Sequence, residues 1–222
     1  MNECTFITGV GTDIGKTHYL CEVLKKITTR KIPFFAIKPI ASGVNLNHLI
    51  ETDSAKILCA MNQKVTLNNF KKITPWYFEK PISPHLASQN SAIEIDFKEL
   101  KNFCLKHILK KTTFIEGAGG IMAPINFQYT NLDLIKSLPC RVILVTGNYL
   151  GSISHTFTAL EVIKNNKIML EKVIINESLL PSITYQDFRK IILQHYSEII
   201  VEYMPRALSN HSKSIQGPAP NH

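Results

Sequence analysis

The stretch Thr5-Phe6-Ile7-Thr8-Gly9-Val10-Gly11-Thr12-Asp13-Ile14-Gly15-Lys16-Thr17 decides the architecture of this 222-residue chain. Residues 5–8 are a short β-prone run that meets a glycine-rich turn. From Lys16 onward Leu20, Val23, Leu24 and Ile27 recur at helical spacing, predicting a helix over 16–30. Strand, glycine-rich loop and helix in this order make a phosphate-binding loop. Successive backbone N–H groups form an anion nest, and the helix amino terminus adds its positive dipole end. The usual pattern sets four residues between its first glycine and Gly-Lys-Thr. Counting back from Gly15, that position is Val10, with Gly9 one residue farther, so the loop is a variant placed in its class by context. Lys16 is expected to reach the terminal phosphates of a nucleotide, and the Thr17 hydroxyl to ligate Mg²⁺.

Outward from the loop, short apolar runs alternate with helical patterns. Strands are expected at 34–37, 113–116, 142–145, 173–175 and 199–203, and helices at 53–60, 97–109, 152–164 and 185–195. This alternation predicts an α/β fold: one domain with a mostly parallel sheet flanked by helices, of the P-loop NTPase type. Residues 142–145 are apolar throughout, as a strand covered on both faces must be. Residues 66–90 carry Pro75, Pro81 and Pro84 and read as a long loop beside the active site. The domain is expected to span 1–209, with a polar, disordered tail over 210–222.

Composition narrows the function classes. The formal charge of +8 is scattered over short lysine pairs, and arginine, the reader of guanine edges, is scarce, so neither nucleic acid nor a membrane surface is the expected partner. A positive field also suits an anionic ligand. No apolar run is long enough to span a bilayer, and residues 1–4 lack a signal-peptide pattern. Five cysteines (Cys4, Cys21, Cys59, Cys104 and Cys140), an odd number without a CxxC, read as free thiols in a reducing cytoplasm.

Three charged residues stand at predicted element ends. Lys38 follows the strand at 34–37, where a side chain enters the crevice in which ligands of parallel sheets bind. Asp53 opens a helix, a common place for a cap. Glu116 ends an apolar strand and precedes Gly117-Ala118-Gly119-Gly120. Together with the loop they form a consistent set, Thr17, Asp53 and Glu116 around a metal and Lys16 and Lys38 around transferring phosphate.

These residues resemble the dethiobiotin synthetase family. The resemblance rests on Thr12-Asp13-Ile14-Gly15-Lys16-Thr17, Lys38-Pro39-Ile40-Ala41-Ser42-Gly43, Asp53, Pro81-Ile82-Ser83-Pro84-His85, Glu116-Gly117-Ala118-Gly119-Gly120 and Leu150-Gly151-Ser152-Ile153-Ser154-His155, in family order over residues 5–177. It implies a cytoplasmic, homodimeric, Mg-ATP-dependent cyclo-ligase of biotin synthesis. Such an enzyme closes a cyclic urea from 7,8-diaminononanoate and carbon dioxide, giving dethiobiotin, ADP and phosphate. Carried over by position, Lys38 and Lys16 are the catalytic cations. Ser42, Thr12 and the helix start at Gly151 and Ser152 meet the substrate. The nucleotide lies on Asp13, Ile14, Gly15, Lys16, Thr17 and His18, on Asp53, and on Glu116, Gly117, Ala118 and Gly119. Its base lies on Asn176, Glu177, Pro205, Arg206 and Ala207. The resemblance makes Thr17, Asp53 and Glu116 the metal ligands. His85 and His155 are read as structural.

This chain departs from the family at several places: Asp13 stands for a glutamate, Glu177 for an aspartate, His18 for a smaller or aliphatic residue, and no apolar final helix follows Asn210. The main alternative is a ParA/MinD-type partitioning ATPase with protein or DNA partners. Such proteins carry a lysine early in the phosphate loop, where this chain has Gly9-Val10-Gly11. A cobyrinate-type amidotransferase would need a further glutaminase domain, and a basic binding module would leave the strand-end charges unexplained.

Overall fold

The computed structural model describes residues 3–29 and 33–206. In chain order the elements are β1 (Cys4–Gly9), α1 (Lys16–Thr29), β2 (Phe34–Ile37), β3 (Ile40–Ser42), a 3₁₀ segment (Leu46–Glu51), α2 (Asp53–Ala60), α3 (Leu67–Ile73), β4 (Trp76–Phe78), α4 (Pro84–Gln89), α5 (Phe97–Ile108), β5 (Thr112–Glu116), α6 (Asn131–Lys136), β6 (Arg141–Gly147), α7 (Ser152–Asn165), β7 (Leu170–Asn176), α8 (Tyr185–His195) and β8 (Val201–Met204). Six strands form one parallel sheet in the order β2-β5-β1-β6-β7-β8. This is the predicted α/β architecture.

The central strands are covered on both faces. Every residue of β1 is buried, and so is β6 from Val142 to Gly147. Helix α1 lays Tyr19, Leu20, Cys21 and Leu24 into the core. Caps fix where the later helices start: Asp96 for α5, Thr184 for α8, and a reciprocal capping box of Thr130 and Asp133 for α6. From β1 the chain crosses outward to β2 and returns to β5 on one flank of β1, then crosses to β6 on the other. The carboxyl ends of β1, β5 and β6 therefore meet at a switch point, where parallel sheets open a ligand crevice.

The structure corrects one expectation and decides one open reading. Residues 66–90 are not one long loop: they hold α3, β4 and α4, and β4 pairs with β3 in a second, two-stranded parallel sheet. Pro84 sits in the first turn of α4, where its missing N–H costs nothing. Asp53 is not the cap of α2. Thr52 is, its hydroxyl accepting the Ala55 amide at 3.2 Å, which frees the Asp53 carboxylate. The tail from 210 onward lies outside the described residues.

Candidate active site

The phosphate loop joins β1 to α1. Val10 N–H bonds to Val145 O at 3.1 Å, and Asp13 holds φ 55°, a left-handed conformation unusual for a residue other than glycine. Gly15 has φ +96°, and a Cβ there would run into the Asn176 carboxamide. That side chain donates from Nδ2 to Ile14 O at 3.0 Å, so β7 braces the loop directly. On the other flank, Gly117 N–H donates to Ile7 O at 3.0 Å and Ile121 N–H to Gly9 O at 2.9 Å. Buried Asn131 holds this second glycine turn, donating to Ala118 O at 2.7 Å and Gly120 O at 2.8 Å.

The charged groups meet where β1, β2 and β5 end. Lys38 Nζ lies 2.5 Å from Asp53 Oδ2 and 2.7 Å from Glu116 Oε1. The Thr17 hydroxyl donates to the same Glu116 oxygen at 2.7 Å. Lys56, one turn into α2, reaches Asp53 Oδ1 at 3.2 Å, and Lys16 Nζ donates to Gly11 O at 2.6 Å. Burial alone would lower the Lys38 pKa, but Glu116 and Asp53 outweigh it and hold the ammonium well above its ordinary range. Burial alone would raise Asp53; Lys38 and then Lys56 bring it down to about 2. Lys16 has no acid in contact, and burial drops it to about 8.

Most predicted site residues line one cleft of about 1000 Å³ at this end of the sheet. It is lined by Thr12, Asp13, Gly15, Lys16, Thr17 and His18, and by Lys38, Asp53, Glu116 and Gly119. Asn176, Glu177 and Arg206 line it as well. Ser42, Gly151, Ser152, Gly117, Ala118, Ile14 and Pro205 do not line it. The Ile14 side chain is in the core, and the Gly117 amide and Ala118 carbonyl are spent on fastening the turn. Ala207 lies outside the described residues. His85 pairs with Ser83 Oγ at 2.9 Å and His155 with Tyr149 OH at 2.9 Å.

Among the described residues, five buried side-chain oxygens have no hydrogen-bond partner: Thr8 Oγ1, Ser42 Oγ, Glu116 Oε2, Ser152 Oγ and Asn176 Oδ1. Four belong to predicted site residues, and a buried oxygen without a partner is costly unless a ligand meets it. A hard divalent cation fits this set: Glu116 Oε2, the Asp53 carboxylate and the Thr17 hydroxyl are all oxygen donors. Sequence reasoning missed Lys56, Asn131 and Asn148. The last orders the turn after β7, accepting Ser178 N–H at 2.8 Å and donating to Ile183 O at 2.9 Å. No single-sequence signal marks the two asparagines; Lys56 was visible only as the residue three beyond Asp53, on its helix face.

The chain matches the family described as AAA domain over residues 4–205. The ATP-dependent dethiobiotin synthetase of Acidiphilium cryptum is 35% identical over 193 residues, covering 86% of each chain. That of Legionella pneumophila (strain Paris) is 38% identical over 179 residues, covering 77% of this chain and 78% of the other. Among solved structures, a ParA family ATPase from Chlorobium tepidum matches with TM-score 0.53 at 15% identity, covering 93% of this chain and 84% of that one. The septum site-determining protein MinD of Pyrococcus horikoshii, complexed with Mg-ADP, matches with TM-score 0.55 at 12% identity, covering 93% and 82%. Likeness at that distance shows the P-loop fold alone. The sequence relatives go further, and by them this chain belongs to the family of ATP-dependent dethiobiotin synthetases.

Proposed function

We infer that this protein is the ATP-dependent cyclo-ligase that converts 7,8-diaminononanoate and carbon dioxide to dethiobiotin, with release of ADP and phosphate. The observation that carries the assignment is the buried Lys38 ammonium, held between Asp53 and Glu116 and one hydrogen bond from the phosphate-loop residue Thr17. A partitioning switch has no use for a strand-end cation so placed, whereas ring closure through an acyl phosphate does.

One substrate amine adds to carbon dioxide and loses a proton, giving a carbamate. A carbamate oxygen then attacks the γ-phosphorus and ADP leaves. The second amine attacks the carbamoyl carbon, closes the urea and expels phosphate with loss of a proton. The protein supplies positioning and charge. Lys38, cationic at any physiological pH, attracts the carbamate and the transferring phosphoryl group. Lys16 leaves the Gly11 carbonyl for the phosphate chain. Thr17, Asp53 and Glu116 would hold Mg²⁺, which neutralises phosphate oxygens. Asn176 reads the base: its Nδ2 is committed to Ile14 O, leaving Oδ1 as an acceptor for an exocyclic amine. The start of α7, with Gly151 at φ +93°, is the place this scheme gives to the substrate carboxylate, outside the lining of the main cleft. Thr12 faces the diamine in this scheme, and Asp13, His18, Glu177 and Arg206 the nucleotide; Ser42 and Pro205, which do not line the cleft, are given no contact in it.

The working unit in this reading is a cytoplasmic homodimer without nucleic-acid or membrane partners. Among the described residues no helix is long and apolar enough to cross a membrane. The deciding assay supplies the diamine, bicarbonate and Mg-ATP and expects dethiobiotin and ADP in equal amounts. ATP hydrolysis stimulated by DNA, with no ring product, would replace this reading with the partitioning ATPase.

A further inference from the structure

The cleft is longer than a triphosphate and its metal require. Besides Lys16, Glu116 and Asp53, its lining includes Thr28 of α1, Lys56 and Cys59 of α2, and Asn62 just after α2, along the seam between the two helices. We infer that this seam is an oxyanion passage through which inorganic phosphate leaves after ring closure, an inference that rests on the reaction proposed above. When the ring closes, phosphate lies among Lys16, Lys38 and the metal ligands, with ADP on one side and the new ring on the other. Thr28, Lys56, Cys59 and Asn62 line the same cleft as Asp53, which makes the seam a third way out in this scheme.

Its electrostatics suit a phosphate dianion. The seam's two carboxylates are both paired, Glu22 with Lys25 at 2.8 Å and Asp53 with Lys38 and Lys56. Lys56 is 56% exposed, free enough to swing from Asp53 to a passing anion. The Thr28 hydroxyl donates to Leu24 O at 2.8 Å and Ala60 O at 3.3 Å, tying the helices together along the seam. Bicarbonate shares this chemistry and would use the same path inward, so the test separates the two directions.

Cys59 gives the handle, being an exposed free thiol on the wall. The full-length protein is labelled with a bulky maleimide. Ring formation in the first turnover is read by rapid quench, and phosphate release by a fluorescent phosphate sensor. The labelled protein should close the ring at the unlabelled rate but release phosphate about tenfold more slowly, leaving a burst. In Cys59→Ser the reagent should change neither rate. Lys56→Gln should weaken product inhibition by added phosphate about threefold, the scale of an exposed ionic contact. Ring closure and phosphate release slowing together would overturn the passage in favour of bicarbonate entry, and release unaffected by the label would overturn it outright. An unlabelled protein that forms no ring product at all would overturn the reaction, and the passage with it.

Discussion

At the phosphate end of the cleft, Lys38, Asp53, Glu116 and Thr17 are joined at 2.5–2.7 Å around a glutamate whose side chain is 1% exposed. At the end that the proposed reaction gives to the base, Asn176 donates to the Ile14 carbonyl and Glu177 accepts the Arg206 amide, each at 3.0 Å. The first arrangement is built from charges that depend on one another. The second is a pair of neutral or exposed contacts that can be lost singly. Damage at the phosphate end should therefore reach the chemistry, and damage at the base end should reach recognition.

Lys38→Ala tests the contrast most severely. Loss of the central cation should lower turnover by about 10³-fold, the scale of removing one transition-state charge contact, while ATP affinity changes by less than about tenfold. It also strands Glu116, so the ligand-free variant should be destabilised by about 3–5 kcal/mol, as for a broken buried ion pair. Rapid-quench ring formation, ATP calorimetry and urea unfolding measure the three quantities. Equal losses of affinity and turnover would remove Lys38 from the chemistry.

Lys16 gives the next largest effect. Its pKa of about 8 places its charge change in an accessible range. Below that pH the ammonium is present for the phosphates. Above it ATP binding must take up a proton, and affinity should fall about tenfold per pH unit. Calorimetry in buffers of different ionisation enthalpy would report the uptake. Lys16→Met should bind more weakly at all pH values and lose the slope; a slope that survived would have to come from another group.

Asn176→Ala should be milder. It removes the brace on the loop and, in the proposed scheme, the acceptor for the base, so KM for ATP should rise about tenfold and the preference over GTP should shrink, with kcat little changed. A large fall in kcat would mean that the brace on Ile14, rather than base recognition, is the residue's main work.

The same two ends differ in how far they could be read from the sequence. Lys16, Thr17, Lys38 and Glu116 were legible because each sits at a fixed offset from a strand end, where fold class and local pattern dictate position. The partners that complete the site were not. Asn131 reaches back to Ala118 and Gly120 across a loop, and Asn148 reaches forward to Ile183, contacts set by the packed structure and not by neighbours in the chain. For Asp53 the sequence left a cap role open, because Thr52 and Asp53 are both good caps and only the backbone shows which one the helix uses. Residues 66–90 misled for the opposite reason: three prolines suggested a loop, but Pro75 falls between elements, Pro81 before α4 and Pro84 in its first turn.

Asp53 supports the smallest and most local test, because it lies on the rim of the ion cluster. Its pKa is lowered to about 2 from an ordinary 3.8, so its pairing with Lys38 and Lys56 stabilises the fold above the ordinary value. That contribution is lost as pH falls through about 2. The side chain is 41% exposed, which screens the interaction and keeps the effect small. In chelator-containing buffer, Asp53→Asn should therefore be less stable than the parent at neutral pH, and the gap should close between about pH 4 and pH 2. Parallel unfolding curves across that window would mean that Lys38 is held by Glu116 alone. The ion cluster would then be a buried pair with a bystander, and the rim of the phosphate end would be as loosely built as the base end.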